Sequence, residues 1–338
     1  MKYFSILFAA IVLFSSCQKE DEKVTLPSPG AMQQMVAVLG NNYDQQVYVS
    51  LANKSTVSRP YRAYDLAFET LNGNLRVWTN SGKIMLAART GTTDMAQADS
   101  VGKYWWVDNE QYHPDSSAIG NWWQSASQSG TSEVMIVDRG SLDYSGHNRF
   151  RKFQIISAGP YSDYHIRYSL YDNSELHDFI IPRDTMYSLV YFSFDNNGQL
   201  VNQAPPKEQW DFVFTKYTHV YHDYPYGAIF RNYPVVGAQL NIWDNVKAIQ
   251  LQKDTFPGYM PYEDFAYGHV YQYPWHIISD VIGYNWKSFD INNNRFYVYP
   301  NNFFVVCDHN GIYYKLRMLD FYDQNGIKGT VTFEFQRI

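Results

Sequence analysis

The chain has 338 residues, enough for two domains of ordinary size, and carries a net charge of −6 at pH 7. This acidic balance argues against a nucleic-acid partner, because the phosphate backbone attracts a basic surface. Aromatic residues make up 18% of the chain. This composition favours β-strands, because flat side chains fit a pleated, half-buried surface.

The first 16 residues have the pattern of a lipoprotein signal peptide. Lys2 is followed by an apolar run from Phe4 to Phe14 and by two serines. The run is too short to span a bilayer, which takes about 20 apolar residues. The sequence LFSSC, ending at Cys17, resembles the cleavage site of a lipoprotein signal peptidase and predicts lipidation of Cys17. An ordinary secretory peptide with a chance cysteine is the alternative.

Residues 17–45 are predicted to form an acylated tether that opens with QKEDE. This charged start resembles the surface-export signal of Bacteroidetes lipoproteins, and such a polar segment cannot bury enough apolar area to fold. The expected location is the bacterial outer membrane, with the protein lipid-anchored and exposed at the cell surface. With Cys17 acylated, Cys307 has no partner for an intramolecular disulfide, so the fold must depend on its core.

Two β-rich halves follow, predicted to be separate domains over residues 46–183 and 184–338. The first begins with the strand and turn VYVSLANKS, followed by YDLAFET, which an Asn-Gly turn connects to LRVWTN. Residues 91–130 are looser. EVMIVD then reads as a buried strand, and RFRKFQIIS and HIRYSLYD as alternating strands.

The second half repeats this order. LVYFSFDNNGQLV matches VYVSLANKSTV, and QWDFVFTKYT matches YRAYDLAFET. The chain ends in a predicted three-stranded meander with two Asn-Gly hairpin turns. In this meander, YYKLRM mirrors the earlier FRKFQI, with Lys315 in the place of Lys152. Neither half shows a sustained helical period, so the chain is predicted to be all-β.

A pair consisting of an aromatic residue and an aspartate opens the main strand of each half. Trp210-Asp211 precedes the alternating strand FVFT, and Tyr64-Asp65 stands at the same place about 146 residues earlier. We expect Trp210 and Tyr64 to be buried at the entry of the strand. A carboxylate in this position more often accepts backbone hydrogen bonds than performs chemistry. Asp65 and Asp211 are therefore predicted to be structural.

WDFVFTKYT and the closing pattern together resemble the HmuY family of Bacteroidetes haem-binding lipoproteins. The closing pattern is an apolar strand, Asp-x-Asn-Gly, Tyr-Tyr-Lys-Leu-Arg and a turn with Lys and Gly. Thr79–Gly82 supplies the TNSG element of the family, in the first half only. The resemblance covers the second half well and the first half loosely, and family members have a single domain.

The resemblance implies an all-β fold, surface anchoring, and capture of haem without catalysis. Together with the repeated order of the two halves, it predicts two tandem HmuY-like antiparallel β domains, a departure from the single domain of the family. It further implies two axial iron ligands, His or Met, and a TonB-dependent outer-membrane transporter as partner. The ligands would lie in the loose segment before the final meander, where Met260, His269 and His276 are the candidates. Imidazole and thioether groups suit haem iron. Surface histidines on tyrosine-rich loops are the alternative interpretation.

Other chemistry finds little support in the sequence. His219 and His222 have a His-x-x-His spacing, but in a strand this spacing directs the two rings to opposite faces. We therefore predict no separate metal site. No nucleophile elbow, His-Glu-x-x-His motif or phosphate-binding glycine loop is present, so no catalytic residue is assigned.

Two tryptophan pairs leave a second class of function open. Adjacent tryptophans on a strand cannot share a face, so one member of Trp105-Trp106 and of Trp122-Trp123 could be exposed. Exposed aromatic rings stack on sugars. A glycan- or protein-binding surface module that keeps the fold without the haem site is the alternative function.

Overall fold

The computed structural model describes residues 28–125, 131–228, 231–253 and 255–338. The predicted signal peptide and the predicted lipid-bearing Cys17 lie outside these residues. Where the structure is described, regular structure is almost entirely antiparallel strands, which confirms the predicted all-β fold. No helix in these ranges is long and apolar enough to cross a membrane.

The strands are numbered in chain order. They are β1 (Gln33–Val38), β2 (Gln45–Ser50), β3 (Ser55–Pro60), β4 (Leu66–Glu69), β5 (Val77–Thr79), β6 (Leu86–Arg89), β7 (Trp105–Trp106), β8 (Met135–Asp138), β9 (Phe150–Gly159), β10 (Ser162–Leu170), β11 (His177–Ile181), β12 (Leu189–Ser193), β13 (Gln199–Val201), β14 (Phe212–Val220), β15 (Asn232–Leu240), β16 (Lys247–Gln252), β17 (Lys287–Asp290), β18 (Arg295–Val298), β19 (Asn302–Cys307), β20 (Tyr313–Tyr322) and β21 (Lys328–Arg337). Helix α1 spans Trp122–Ser125, and 3₁₀ turns span Tyr61–Ala63, Ser81–Lys83, Pro114–Ser116, Gly146–Asn148, Asp195–Asn197, Lys207–Gln209, Ile242–Asp244 and Tyr267–Gln272.

Four sheets form two sandwiches. Sheet A has the order β1-β21-β20-β19-β16 and sheet B the order β15-β14-β2-β3; side chains from both fill one core, which defines the AB sandwich. Sheet C has the order β13-β12-β4-β5 and sheet D the order β11-β10-β9-β8-β6-β7. They share a second core, which defines the CD sandwich.

Each sandwich contains a hairpin from the other half of the sequence. Strand β2 pairs with β14, with Val49 opposite Phe212, and β12 pairs with β4, with Leu189 opposite Glu69. The predicted division between residues 183 and 184 therefore does not separate the sheets. The reason is that β4 and β14 each have a second edge whose backbone groups must be paired, and the hairpin from the opposite half pairs with them.

Strand β1 lies inside the segment 17–45 that the sequence analysis assigned to a tether, so that assignment is corrected. It pairs with β21 along its whole length. Ala37 is buried in the AB core while Val36 and Val38 are exposed, the alternation of a half-buried strand. The physical reason is the open edge of β21, whose backbone groups gain partners from β1.

The aromatic members of the two motifs meet the exchanged hairpins. Trp210 packs edge-on against Tyr48 with ring centroids 5.0 Å apart, and Tyr64 packs edge-on against Tyr191 at 4.8 Å. Each contact joins a residue of one half to a hairpin of the other. These four residues belong to a third core cluster, between the sandwiches, together with Ala67, Trp78, Leu189, Ala204 and Val213.

The aspartates of the motifs bind the ends of the exchanged strands. Asp211 Oδ2 accepts a hydrogen bond from Leu51 N at 2.7 Å. Asp65 Oδ2 accepts one from Phe194 N at 2.8 Å. Both aspartates are buried. Each carboxylate therefore holds the backbone that leaves the first strand of the hairpin from the opposite half.

The charge environment of the two aspartates differs. Asp65 lies 2.9 Å from Lys83 Nζ and 2.8 Å from Arg139 Nη2, and all three side chains are buried. Burial alone would raise the pKa of Asp65, but the two cations hold it below the ordinary value. Asp211 has no such cation. Burial raises the pKa of Asp211 to about 6, and the negative charge of Asp308 adds to this rise.

Candidate functional site

Hairpin β14–β15 is much longer than its counterpart in the first half. Its strands have nine residues each, whereas β4 and β5 have four and three. The added length carries the hairpin tip to the N-terminal half. There, Tyr226 Oη accepts a hydrogen bond from Trp105 N at 2.7 Å and donates one to Trp105 O at 2.8 Å. The tip therefore bridges the two halves.

The TNSG element, Thr79–Gly82, packs against the C-terminal part of β14. Thr218 Oγ1 donates a hydrogen bond to Ser81 O at 2.6 Å. A Cβ on Gly82 would lie 2.7 Å from Lys216 O, so glycine is required for this close approach of two backbones. The element fixes the far end of β14, where His219 lies.

His219 lies beside a carboxylate from the other half of the chain. Its Nδ1 lies 2.9 Å from Glu110 Oε1, although the angles do not meet hydrogen-bond criteria. Glu110 is buried, whereas the His219 side chain is 22% exposed. A carboxylate beside Nδ1 favours the tautomer with the proton on Nδ1. Nε2 is then the ring atom with a free lone pair, suited to bind a metal.

Tyrosine rings surround His219. The Tyr221 ring centroid lies 4.6 Å from that of His219, and the Tyr284 centroid lies 5.1 Å away. Tyr221 also contacts Tyr224 and Tyr233, at 6.1 and 6.3 Å. An open cleft of ≈ 530 Å³ is lined by Tyr221, Asp223, Tyr224 and Tyr233. We call it the tyrosine cleft, and its volume is within the range of about 300–1,000 Å³ usual for small-molecule sites.

Buried acidic groups lie behind the histidine. Burial, together with the charge of Glu110, raises the pKa of Asp280 to about 6. Burial also raises the pKa of Tyr284, with a hydrogen bond to Tyr221 as the next cause. The Tyr284 phenol is thus neutral at physiological pH. Nearby carboxylates would favour the positive charge of a metal centre bound here.

The sequence matches the family described as HmuY protein over residues 42–175 and again over residues 186–335. The chain belongs to the HmuY family. The second match confirms that the family sequence is duplicated here, as the resemblance predicted. No functionally curated protein matches the chain.

Solved structures similar to this HmuY-family chain come from Porphyromonas, Bacteroides and Tannerella. Apo PinO from Porphyromonas gingivitis is 9% identical, with 91% of this chain and 97% of that chain covered and a TM-score of 0.28. A putative HmuY-like heme binding protein from Bacteroides vulgatus is 8% identical, with 90% of each chain covered and a TM-score of 0.24. The apo HmuY analog TFO of Tannerella forsythia is 9% identical, with 92% and 98% covered and a TM-score of 0.25.

The haem ligands that the HmuY resemblance implies lie elsewhere, in the segment packed on sheet A. Met260 is half-buried beside the cluster that contains Phe265. His269 Nδ1 accepts a hydrogen bond from Ala266 N at 3.0 Å. A backbone N–H only donates, so Nε2 must carry the proton of a neutral His269 ring. In this conformation neither ring nitrogen of His269 offers a lone pair to iron.

His276 is exposed, and its backbone pairs with that of Ala248. Met260, His269 and His276 do not line the tyrosine cleft. Their assignment as haem ligands stays a prediction. In the part of the chain that the structure describes, no group of three or more His, Cys, Asp or Glu side chains is placed to hold a metal ion.

Sequence reasoning found His219 but missed its partner. Glu110 lies in the loose segment of the first half, and no spacing signal connects it to β14. His222 is exposed beyond the end of β14. Of the tryptophan pair at β7, Trp106 is exposed and Trp105 is half-buried.

Proposed function

We propose that this protein captures haem at the bacterial cell surface, without catalysis, and that the tyrosine cleft beside His219 is the binding site. Membership of the HmuY family supports haem as the ligand. The observation that carries the choice of site is the approach of Glu110 Oε1 to 2.9 Å from His219 Nδ1, next to an open cleft with aromatic walls. A carboxylate on the far nitrogen is the usual support of a metal-binding histidine.

The residues of the cleft fit the chemistry of haem. The macrocycle has two flat apolar faces, and the rings of Tyr221, Tyr224 and Tyr233 provide flat apolar walls with polar edges. Bound haem would supply an iron centre that side chains can ligate. His219 would hold the iron through Nε2. Tyr221 and His222 follow His219 closely in sequence, and their side chains are of types that ligate haem iron.

Haemin titration of the purified protein tests this site. We expect a Soret shift in the wild type and an unchanged titration in His269→Ala, the matched control. His219→Ala should lose affinity by at least about tenfold, and Glu110→Gln should weaken binding by about 10–100-fold, the usual effect of removing the support of a metal-binding histidine. Wild-type binding in His219→Ala, combined with loss in His269→Ala, would instead place haem at the loose segment.

The proposal includes the membrane anchor. LFSSC and the charged residues that follow support lipidation of Cys17, attachment to the outer membrane and delivery of haem to a TonB-dependent transporter. Acyl chains on the N-terminal residue bind membranes by burial of their methylene groups. Cys17→Ala should therefore move the protein from the membrane fraction to the soluble fraction. Membrane recovery of this variant would contradict the anchor.

A further inference from the structure

We propose a second ligand site, in the cleft between the two sandwiches beside Glu69, that binds a single sugar ring. Nothing in the haem proposal uses this cleft. It has a volume of ≈ 240 Å³ and is lined by side chains from both halves of the chain. Its lining includes Glu69, Asn72, Asn74, Gln111, Trp243 and Asn245.

The first observation is that only one of the two oxygens of the buried Glu69 carboxylate accepts hydrogen bonds from described residues. Glu69 is 3% exposed. Its Oε1 accepts hydrogen bonds from the indole nitrogens of Trp78 and Trp243, both at 2.9 Å. Its Oε2 is buried and has no hydrogen-bond partner among the described residues, with Arg76 Nη1 3.8 Å away. Arg76 forms an ion pair with this oxygen, but 3.8 Å is too long for a hydrogen bond. A buried oxygen without a hydrogen bond is costly, at about 1–3 kcal/mol, so this atom points to a missing donor.

The second observation is a set of four side-chain amides around the same cleft that form no hydrogen bonds with other described residues. The side chains of Asn72, Asn74, Gln111 and Asn245 line it, and none of them makes a hydrogen bond to another described residue. Asn72 and Asn245 lie at turns with positive φ, 54° and 61°. Each amide presents a planar donor and acceptor. Together they can form hydrogen bonds with several hydroxyl groups of one ligand.

The third observation is the apolar wall. Trp243 and Tyr112 line the cleft, their ring centroids are 5.2 Å apart, and Ile278 lies beside them. A ligand that suits this site therefore has one apolar face and a rim of neutral groups that both donate and accept. A sugar ring has this distribution. An amine would satisfy Glu69 alone and leave the four amides unused. The volume, somewhat below the range of about 300–1,000 Å³ for larger ligands, suits one ring.

Saturation-transfer NMR with the methyl glycosides of glucose, galactose, mannose and N-acetylglucosamine tests the site. We expect transfer from at least one glycoside, with a dissociation constant near 1 mM, a scale that corresponds to about −4 kcal/mol. The double variant Asn72→Gly/Asn245→Gly removes two amides and keeps the positive φ that glycine adopts freely. It should weaken binding at least about tenfold, which equals 1.4 kcal/mol.

The controls separate this site from the rest of the molecule. Asn294→Gly changes an exposed asparagine that also has a positive φ, 49°, and should bind the sugar like the wild type. Haemin titration should be the same in all three proteins, so the two proposals fail separately. No transfer from any glycoside would overturn the proposal. So would loss of binding in Trp106→Ala with full binding in the double variant, because sugar would then stack on the exposed ring beside Tyr104.

Discussion

The carboxylate of Asp211 accepts a hydrogen bond from the backbone N–H of Leu51, at 2.7 Å and across 160 positions of sequence. The second motif thereby holds a strand of the first half, and Asp65 holds Phe194 of the second half in the same way. The aromatic-aspartate pair is thus the point where each hairpin is fixed to the opposite half. Its role in the described structure is to join the halves.

Asp65→Asn should destabilise the protein far more than Asp211→Asn. Removal of the Asp65 charge leaves Lys83 buried without its counter-ion and leaves Arg139 with Asp195 alone, a loss of about 3–5 kcal/mol in comparable buried networks. Asp211 has one backbone donor, and an asparagine oxygen can replace its acceptor, so we expect a loss of about 1 kcal/mol or less. Urea unfolding at pH 7 measures both. Equal losses would show that the cations around Asp65 contribute nothing.

The protein should become more stable when the pH is lowered from neutral to about 5. Burial raises the pKa of Asp211 and of Asp280 to about 6, from an ordinary 3.8. Each carboxyl therefore binds its proton more tightly in the folded state than in the unfolded chain. Its contribution to stability is complete below about pH 4 and is lost as the pH rises through about 6.

Asp65 has the opposite effect on the pH dependence of stability, because its pKa is lowered in the folded protein. Its contribution is present above the ordinary carboxyl pKa and is lost as the pH falls through the folded value. Stability should hence decline again under strongly acidic conditions. Thermal unfolding of the wild type and of Asp211→Asn from about pH 5 to 8 tests the first part. The variant should show a smaller change across this interval, and an identical slope would rule out Asp211 as a source.

Lys315→Met should loosen the segment that carries Met260. Lys315 is buried, and its Nζ donates to the backbone oxygens of Tyr262 at 2.8 Å and Phe265 at 3.0 Å. A hydrogen bond from a charged group contributes about 1.5–3 kcal/mol. We expect a loss of about 3 kcal/mol and faster hydrogen exchange in residues 259–273. Lys328→Met, at the exposed start of β21, is the control and should leave both quantities unchanged.

A fragment of residues 184–338 should not fold into a sandwich by itself. It lacks β1, β2 and β3, and with them Val47 and Val49 of the AB core. Mixed with a fragment of residues 28–183, it should regain near-ultraviolet circular dichroism and elute as a one-to-one complex, because each fragment then supplies the hairpin that the other lacks. Cooperative unfolding of the isolated fragment would contradict a requirement for the exchanged strands.

Local features of the fold were predictable from the sequence, while long-range partners were not. Asn72 and Gly73 both have positive φ, at the turn where the Asn-Gly signal placed one. The residues of β2 are buried on both faces. This pattern is the same whether the strand pairs with β4 or with β14, so it carries no information on the hairpin exchange. Asp65 was recognised as structural. Its partner Arg139, 74 positions away, has no local pattern that connects it to the motif.

In the candidate site too, long-range partners were not predictable from the sequence. The spacing of His219 and His222 was considered and rejected as a metal site on strand geometry. That argument does not apply in the structure, because β14 ends at Val220 and His222 lies in a turn beyond it. Glu110 was not foreseen, because a contact between a loop of one half and a strand of the other depends on how the halves pack. The loose segment with His269 was chosen by family resemblance, and its local capping hydrogen bond could not be read from residue types.

The hairpin exchange also constrains the order of events as the chain is made or threaded through a membrane from its N-terminus. The CD sandwich needs β12 and the AB sandwich needs β14, so neither can close while only the first half has emerged. Until then the early strands, including β2 and β4, lack their partner strands, and their apolar faces are exposed. Such a state is prone to aggregation. Pairings this distant are also slow to form. We therefore expect the chain to need a holding chaperone until β12 and β13 can complete the CD sandwich, whereas the AB sandwich can form only after β21 is available.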